Sequence, residues 1–99
     1  PLDGTTNYAH GYPCFCVTLA LEHDGEIVVG ATFDPTRDEM FAAEKGQGAS
    51  LNGRQIRVSD TEKLSESLLC TGFPYDVSEK ANFISHFSEF TTKARGIRR

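Results

Sequence analysis

The opening run Pro-Leu-Asp-Gly-Thr-Thr-Asn (residues 1–7) holds the side chains in this chain that are best suited to chemistry. Asp3 offers carboxylate oxygens, which suit Mg²⁺ or Mn²⁺ better than zinc. Gly4 permits a tight turn and lets a ligand approach the main chain closely. Thr5, Thr6 and Asn7 favour the start of a helix, whose free N–H groups and dipole would face whatever lies beside Asp3. This pattern is typical of a site for a phosphate bridged to a divalent cation.

The same residues have a simpler interpretation. Asp-Gly is a common turn dipeptide, and a threonine that follows it can simply cap a helix. On spacing alone the plain turn is favoured, because short motifs give many false matches. The non-enzymatic alternative is then a small β-rich interaction module whose sheet edges recruit a partner strand.

Longer stretches of the chain resemble the inositol monophosphatase family. Residues 1–8 are similar to the metal-binding signature of that family, which normally has another Asp immediately before the Pro. The similarity continues in order through residues 30–35, 39–43, 45–49, 51–53, 68–74 and 96–99. Because the chain opens inside a motif and ends without a terminating feature, we expect residues 1–99 to be the central portion of such a domain.

The resemblance implies a metal-dependent phosphate monoester hydrolase that uses Mg²⁺, with Mn²⁺ as a possible substitute. Asp3 matches the second Asp of the signature and would ligate the metal, together with the main-chain carbonyl of Leu2. Gly4 and Thr5 would bind phosphate through their N–H groups, and the Thr5 hydroxyl would help to activate the attacking water. The family's other metal-binding carboxylates and its substrate loop have no counterpart in this chain, so we expect the isolated chain to be inactive.

The resemblance also implies a small phosphorylated polyol as the substrate and a lithium-sensitive, cytoplasmic homodimer. The run Thr5-Thr6-Asn7 fits the inositol monophosphatase branch, in which Thr6 and Asn7 would support the turn. Phosphatases for nucleotide 3′-phosphates, fructose bisphosphate or histidinol phosphate are the alternatives within the superfamily.

Composition narrows the remaining possibilities. Lys and Arg total 10 against 14 Asp and Glu, and this net charge of −4 does not favour binding to DNA or RNA. No apolar run approaches the ~20 residues that span a bilayer. Of the three cysteines, Cys14 and Cys16 would share one face of a strand, and buried, reduced thiols are expected. A zinc site formed by His10, Cys14 and Cys16 would lack a fourth ligand at a familiar spacing.

The elements that position the opening run are predicted from periodicity and turn residues. A short helix is expected from Thr5 to about Gly11, because Gly11 and Pro13 stop it. A longer helix is expected from an N-cap at Ser78 to about Lys93, with an apolar face formed by Phe83, Phe87, Phe90 and Ile84.

Apolar runs separated by turn dipeptides predict a sheet. Asp24-Gly25 and Asn52-Gly53 indicate tight hairpins, and Asp34-Pro35 indicates a further turn. The strands are expected at residues 14–22, 26–33, 39–44, 49–51, 55–58 and 67–71, the first of them covered on both faces. Consecutive hairpins imply a mostly antiparallel sheet with packed helices, an α/β (α+β layered) fold. The αβαβα sugar-phosphatase sandwich that the family resemblance implies agrees with it.

Overall fold

The chain divides into two units, Pro1–Val58 and Ser59–Arg99, of which the computed structural model describes residues 2–72 and 80–98. The first unit is a six-stranded antiparallel sheet with the spatial order β1-β2-β3-β4-β5-β6 and one short helix. Its elements, in chain order, are β1 (Leu2–Asp3), α1 (Thr5–Ala9), β2 (Cys16–His23), β3 (Glu26–Asp34), β4 (Glu39–Glu44), β5 (Gly48–Leu51) and β6 (Arg54–Ile56).

Two tight hairpins are formed by the dipeptides that predicted them. Asp24 and Gly25 have φ angles of 52° and 79°, and Asn52 and Gly53 have φ angles of 49° and 77°. Two consecutive residues with positive φ define the turn whose twist matches that of the flanking strands, and Asx-Gly pairs adopt it at low cost. These turns join the antiparallel pairs β2–β3 and β5–β6.

The turn between β3 and β4 is held by side chains. Asp34 Oδ1 accepts hydrogen bonds from the Thr36 N–H at 2.8 Å and from the Thr36 hydroxyl at 2.7 Å. Arg37 donates to Asp34 Oδ2. An aspartate that accepts main-chain and side-chain bonds from the residues two and three positions ahead closes a turn without help from the rest of the fold.

The second unit is a βαβ arrangement. It contains a 3₁₀ turn (Leu64–Glu66), β7 (Leu68–Cys70), α2 (Lys80–Lys93) and β8 (Gly96–Arg98). Strands β7 and β8 pair in parallel, with Leu69 opposite Ile97. The turn signals did not reveal this parallel pair, because a crossover through a helix carries no turn dipeptide of its own.

The apolar face of α2 lies towards these two strands, as the spacing of its phenylalanines predicted. Phe83, Phe87 and Phe90 line a hollow together with Leu69 and Ile97. The rings of Phe83 and Phe87 are stacked, with centroids 6.1 Å apart.

Two other residues were named in the prediction of α2, namely Ile84 and Ser78. Ile84, placed beside the phenylalanines, is instead 61% exposed. The predicted N-cap at Ser78 lies outside the described residues. Neither helix of residues 2–72 and 80–98 is long and apolar enough to cross a bilayer.

Strand β2 was predicted to be covered on both faces, and in this chain that prediction is wrong. Leu19 and Leu21 are 62% and 58% exposed, and no residue in the described part of the chain is buried. The prediction of buried thiols is wrong for Cys14 and Cys70, which are exposed, while Cys16 is half-buried. A strand buries both faces only when a second layer packs on each, and the described residues place no layer over β2.

Candidate functional site

The acidic turn (residues 3–5) joins β1 to α1 at the edge of the six-stranded sheet. Strand β1 pairs with β2, so that Asp3 lies opposite Cys16. Asp3 Oδ1 accepts the N–H of Gly4 at 2.9 Å, and no described residue donates to Asp3 Oδ2. Asp3 and Thr5 are exposed. The turn therefore presents one unoccupied carboxylate oxygen and one hydroxyl to solvent.

Gly4 is required at the acidic turn by backbone conformation and by space. Its φ is 77° and its ψ is 33°, which is the left-handed region that side chains disfavour. A Cβ at this position would lie 2.8 Å from the Cys14 carbonyl oxygen and 3.1 Å from the Phe15 Cα. Both obstacles are backbone atoms, so the main chain of the turn lies directly against the segment that precedes β2.

The interpretation of Thr5 as the N-cap of α1 is wrong. Gly4 is the N-cap, Thr5 is the first helical residue, and no side chain caps the helix. The left-handed backbone at Gly4 leads straight into the helix, so the Thr5 side chain does not reach back to the free N–H groups of the first turn. The Thr5 hydroxyl is consequently available for another partner.

A second set of contacts ties α1 to the segment that precedes β2. The Asn7 side-chain N–H donates to the Cys14 carbonyl oxygen at 2.8 Å, and the Asn7 carbonyl accepts the Tyr12 N–H at 2.9 Å. The rings of Tyr8 and Phe15 meet edge to face with centroids 5.1 Å apart. These contacts agree with the prediction that Asn7 supports the turn.

The zinc alternative finds no geometric support. Residues 2–72 and 80–98 contain no group of three or more His, Cys, Asp or Glu side chains that could hold a metal ion. The Cys16 thiol lies 3.8 Å from the Thr18 hydroxyl, which places these two side chains on one face of β2. Asp3 likewise belongs to no such group within the described residues.

Asp34 is a second carboxylate in a stretch that resembles the family, but its oxygens are already occupied. The Thr36 hydroxyl and the Arg37 guanidinium lower the pKa of Asp34 to about 2. Three donors converge on Oδ1, namely the Thr36 N–H, the Thr36 hydroxyl and the Arg37 N–H, while Arg37 also holds Oδ2. A carboxylate with every oxygen satisfied closes a turn rather than binding a ligand.

Two hollows on the six-stranded sheet have the size of ligand pockets but the wrong chemistry for a phosphate. Their volumes are about 460 and 350 Å³. Glu44 is the one charged residue lining the first, and neutral residues line the second. Neither lining includes Asp3, Gly4 or Thr5, so the acidic turn remains the candidate site for an anion and its counter-ion.

Comparison with known proteins decides the family. The model of the inositol monophosphatase family matches residues 1–99. The chain belongs to the inositol monophosphatase family. It is 46% identical to the inositol-1-monophosphatase of Synechocystis sp. and 42% identical to the Nus factor SuhB of Pseudomonas aeruginosa, in both cases over 100% of this chain.

The fold comparison agrees with the sequence comparison. The solved structure of inositol monophosphatase from Anabaena (Nostoc) sp. superposes with a TM-score of 0.90, is 50% identical and covers 100% of this chain. The predicted family and the α+β fold class with a mostly antiparallel sheet are thereby confirmed. The chain spans 35% and 38% of the length of the two curated relatives and 40% of the solved structure.

Proposed function

We propose that the whole protein is a Mg²⁺-dependent phosphate monoester hydrolase of the inositol monophosphatase type, acting on a small phosphorylated polyol. The observation that supports this proposal is the acidic turn itself. Asp3 keeps one carboxylate oxygen to which no described residue donates, and its side chain is exposed to solvent beside Gly4. Asp34, in the turn between β3 and β4, instead has both of its carboxylate oxygens bonded.

The candidate metal ligands in this chain are oxygen donors of the type that magnesium prefers. The Asp3 carboxylate and the Leu2 carbonyl are hard oxygen donors, which Mg²⁺ prefers. They are too few to complete a coordination shell, and the described residues place no group of three or more His, Cys, Asp or Glu side chains around Asp3. Bound magnesium would neutralise phosphate charge and lower the pKa of a bound water. We therefore propose that the isolated chain is inactive and that the whole protein supplies the missing ligands.

The remaining roles belong to Gly4 and Thr5. Thr5, as the first helical residue, has no intrahelical acceptor for its N–H, which is free to donate to a phosphate oxygen. The Gly4 N–H already donates to Asp3 Oδ1, so a phosphate would share or replace that bond. The uncapped, exposed Thr5 hydroxyl is the group that would orient the attacking water.

Phosphate release from inositol 1-phosphate by the whole protein tests the proposal, with Mg²⁺ present and absent. Asp3→Asn should abolish release because the amide cannot replace an anionic ligand. Asp24→Asn is the matched control, since Asp24 is an exposed turn residue with positive φ that asparagine tolerates. Equal activity in both variants would refute the role of Asp3.

The same assay separates the alternatives. A panel with a nucleotide 3′-phosphate, fructose bisphosphate and histidinol phosphate would reveal another branch of the superfamily. No release from any ester, with no binding of Mg²⁺ or Mn²⁺, would favour an interaction module. One relative is named Nus factor SuhB and another inositol-1-monophosphatase, so a relative's name alone does not choose among these.

The substrate class, lithium sensitivity, the homodimer and the cytoplasmic location stay predictions that rest on family resemblance. Lithium inhibition and the molecular mass in solution are measured on the same preparation of the whole protein.

A further inference from the structure

Asn7 bonds to both ends of the segment that leads into β2. Its main-chain carbonyl accepts the Tyr12 N–H at 2.9 Å, and its side chain donates to the Cys14 carbonyl at 2.8 Å. Asn7 is half-buried and lies in the five-residue helix α1, three positions after Gly4. One residue of α1 therefore fixes the path of the chain from the helix to the strand.

The Cys14 carbonyl that Asn7 holds is the atom against which Gly4 rests. A Cβ on Gly4 would lie 2.8 Å from that oxygen, so close contact sets how near the acidic turn can approach β2. The Asn7 hydrogen bond acts in the opposite direction, because it resists separation of α1 from the same carbonyl. An attractive and a repulsive contact on one atom fix the position of the turn between them.

We propose that Asn7 is a positioning residue for the acidic turn, which acts through the Cys14 carbonyl to hold Asp3, Gly4 and Thr5 in register with β2. The inference rests on the proposed function for its effect on catalysis. The pairing of Asp3 with Cys16 anchors one side of the turn and Asn7 anchors the other. Loss of the Asn7 side-chain bond leaves the strand pairing intact and weakens the helical side, which then keeps only the Tyr12 bond and the contact between the Tyr8 and Phe15 rings.

The test uses the whole protein with Asn7→Ala and Asn7→Asp. Alanine removes the side-chain donor, and aspartate keeps the size of the side chain but, when ionised, can only accept. Asn52→Ala is the matched control, because Asn52 likewise donates from its side chain to a main-chain carbonyl, that of Asp38, at 3.0 Å. Asn52 lies at the end of β5, and two strands separate β5 from β2.

Two readouts are expected to separate positioning from stability. At a temperature well below every Tm, both Asn7 variants should lower kcat by roughly 10- to 100-fold, since a small misplacement of reacting groups has an effect of this order. Asn52→Ala should lower Tm while leaving kcat unchanged. Amide hydrogen exchange over residues 3–9 should accelerate about 10-fold or more in the Asn7 variants and stay unchanged in Asn52→Ala.

Wild-type kcat for Asn7→Ala, or equal loss in Asn52→Ala, would overturn the inference. A wild-type protein without phosphatase activity would instead refute the proposed function. In that case hydrogen exchange decides alone: faster exchange confined to the Asn7 variants supports the positioning role, and unchanged exchange at residues 3–9 contradicts it.

Discussion

Replacing Gly4 with alanine isolates the close contact between the acidic turn and the segment before β2. The new methyl group would lie 2.8 Å from the Cys14 carbonyl oxygen and 3.2 Å from the Phe15 Cβ. The first distance is far inside van der Waals contact, so the main chain of the turn must move. Gly4→Ala should therefore destabilise the whole protein and displace Asp3 together.

The magnitude is the sum of two costs. An alanine held in the left-handed region at φ 77° costs about 1–2 kcal/mol. Forcing a methyl group into an occupied space costs about 1–3 kcal/mol more. Gly4→Ala should thus lower the free energy of unfolding by about 2–5 kcal/mol.

Gly25→Ala is the matched control for the conformational cost. Gly25 has φ 79°, close to that of Gly4, and a Cβ there would meet nothing within 4 Å. This variant should lose only the first cost, about 1–2 kcal/mol. Urea denaturation of both variants measures the difference, and Mn²⁺ titration of the folded variants should show weaker binding in Gly4→Ala alone.

Equal destabilisation by the two substitutions would refute the contact between Gly4 and the Cys14 carbonyl. Unchanged Mn²⁺ affinity in a clearly destabilised Gly4→Ala protein would refute the link between that contact and the metal ligand.

Three further predictions follow from the fold. Asp34 should titrate at about pH 2 in a carboxyl NMR titration, and a titration near the ordinary value of 3.8 would contradict this prediction. The contribution of Asp34 to the free energy of unfolding is therefore complete above pH 3.8 and is lost as the pH falls through 2. Asp34→Asn should flatten this part of the profile of stability against pH. Asn52→Ala should lower the free energy of unfolding in urea by about 1–3 kcal/mol, because Asn52 Oδ1 accepts the Met40 N–H at 2.8 Å and alanine disfavours φ 49°. Asn52→Gly should recover part of this loss, since glycine adopts positive φ readily. The isolated chain should bind a hydrophobic dye more strongly than the whole protein does, because Leu19 and Leu21 are more than half exposed. Equal dye binding by the two proteins would contradict this expectation.

Local signals explain why most turns and strands could be predicted. Asp24-Gly25 and Asn52-Gly53 carry their own conformational preference, so the hairpins follow from two residues each. The strand Glu39–Glu44 was predicted with its observed bounds. The opening run likewise predicted Asp3 as a candidate metal ligand, because an aspartate and a glycine at the start of a helix can be recognised from the sequence alone.

Features that depend on distant partners were not accessible from the sequence pattern. The Asn7 bond to Cys14 spans seven residues, and the Asn52 bonds reach Met40 and Asp38 across 12 and 14 residues. Nothing in the local pattern of an asparagine shows which carbonyl its amide meets. The prediction that both faces of β2 are covered was wrong for the same reason, since periodicity shows that a face is apolar but not what lies over it.

Metal binding at Asp3 is tested most directly by soaking a crystal of the whole protein with Mn²⁺ and measuring anomalous scattering. A peak is expected about 2 Å from the Asp3 carboxylate oxygen to which no described residue donates. A well-ordered acidic turn with no anomalous peak beside Asp3 would contradict metal binding at that carboxylate.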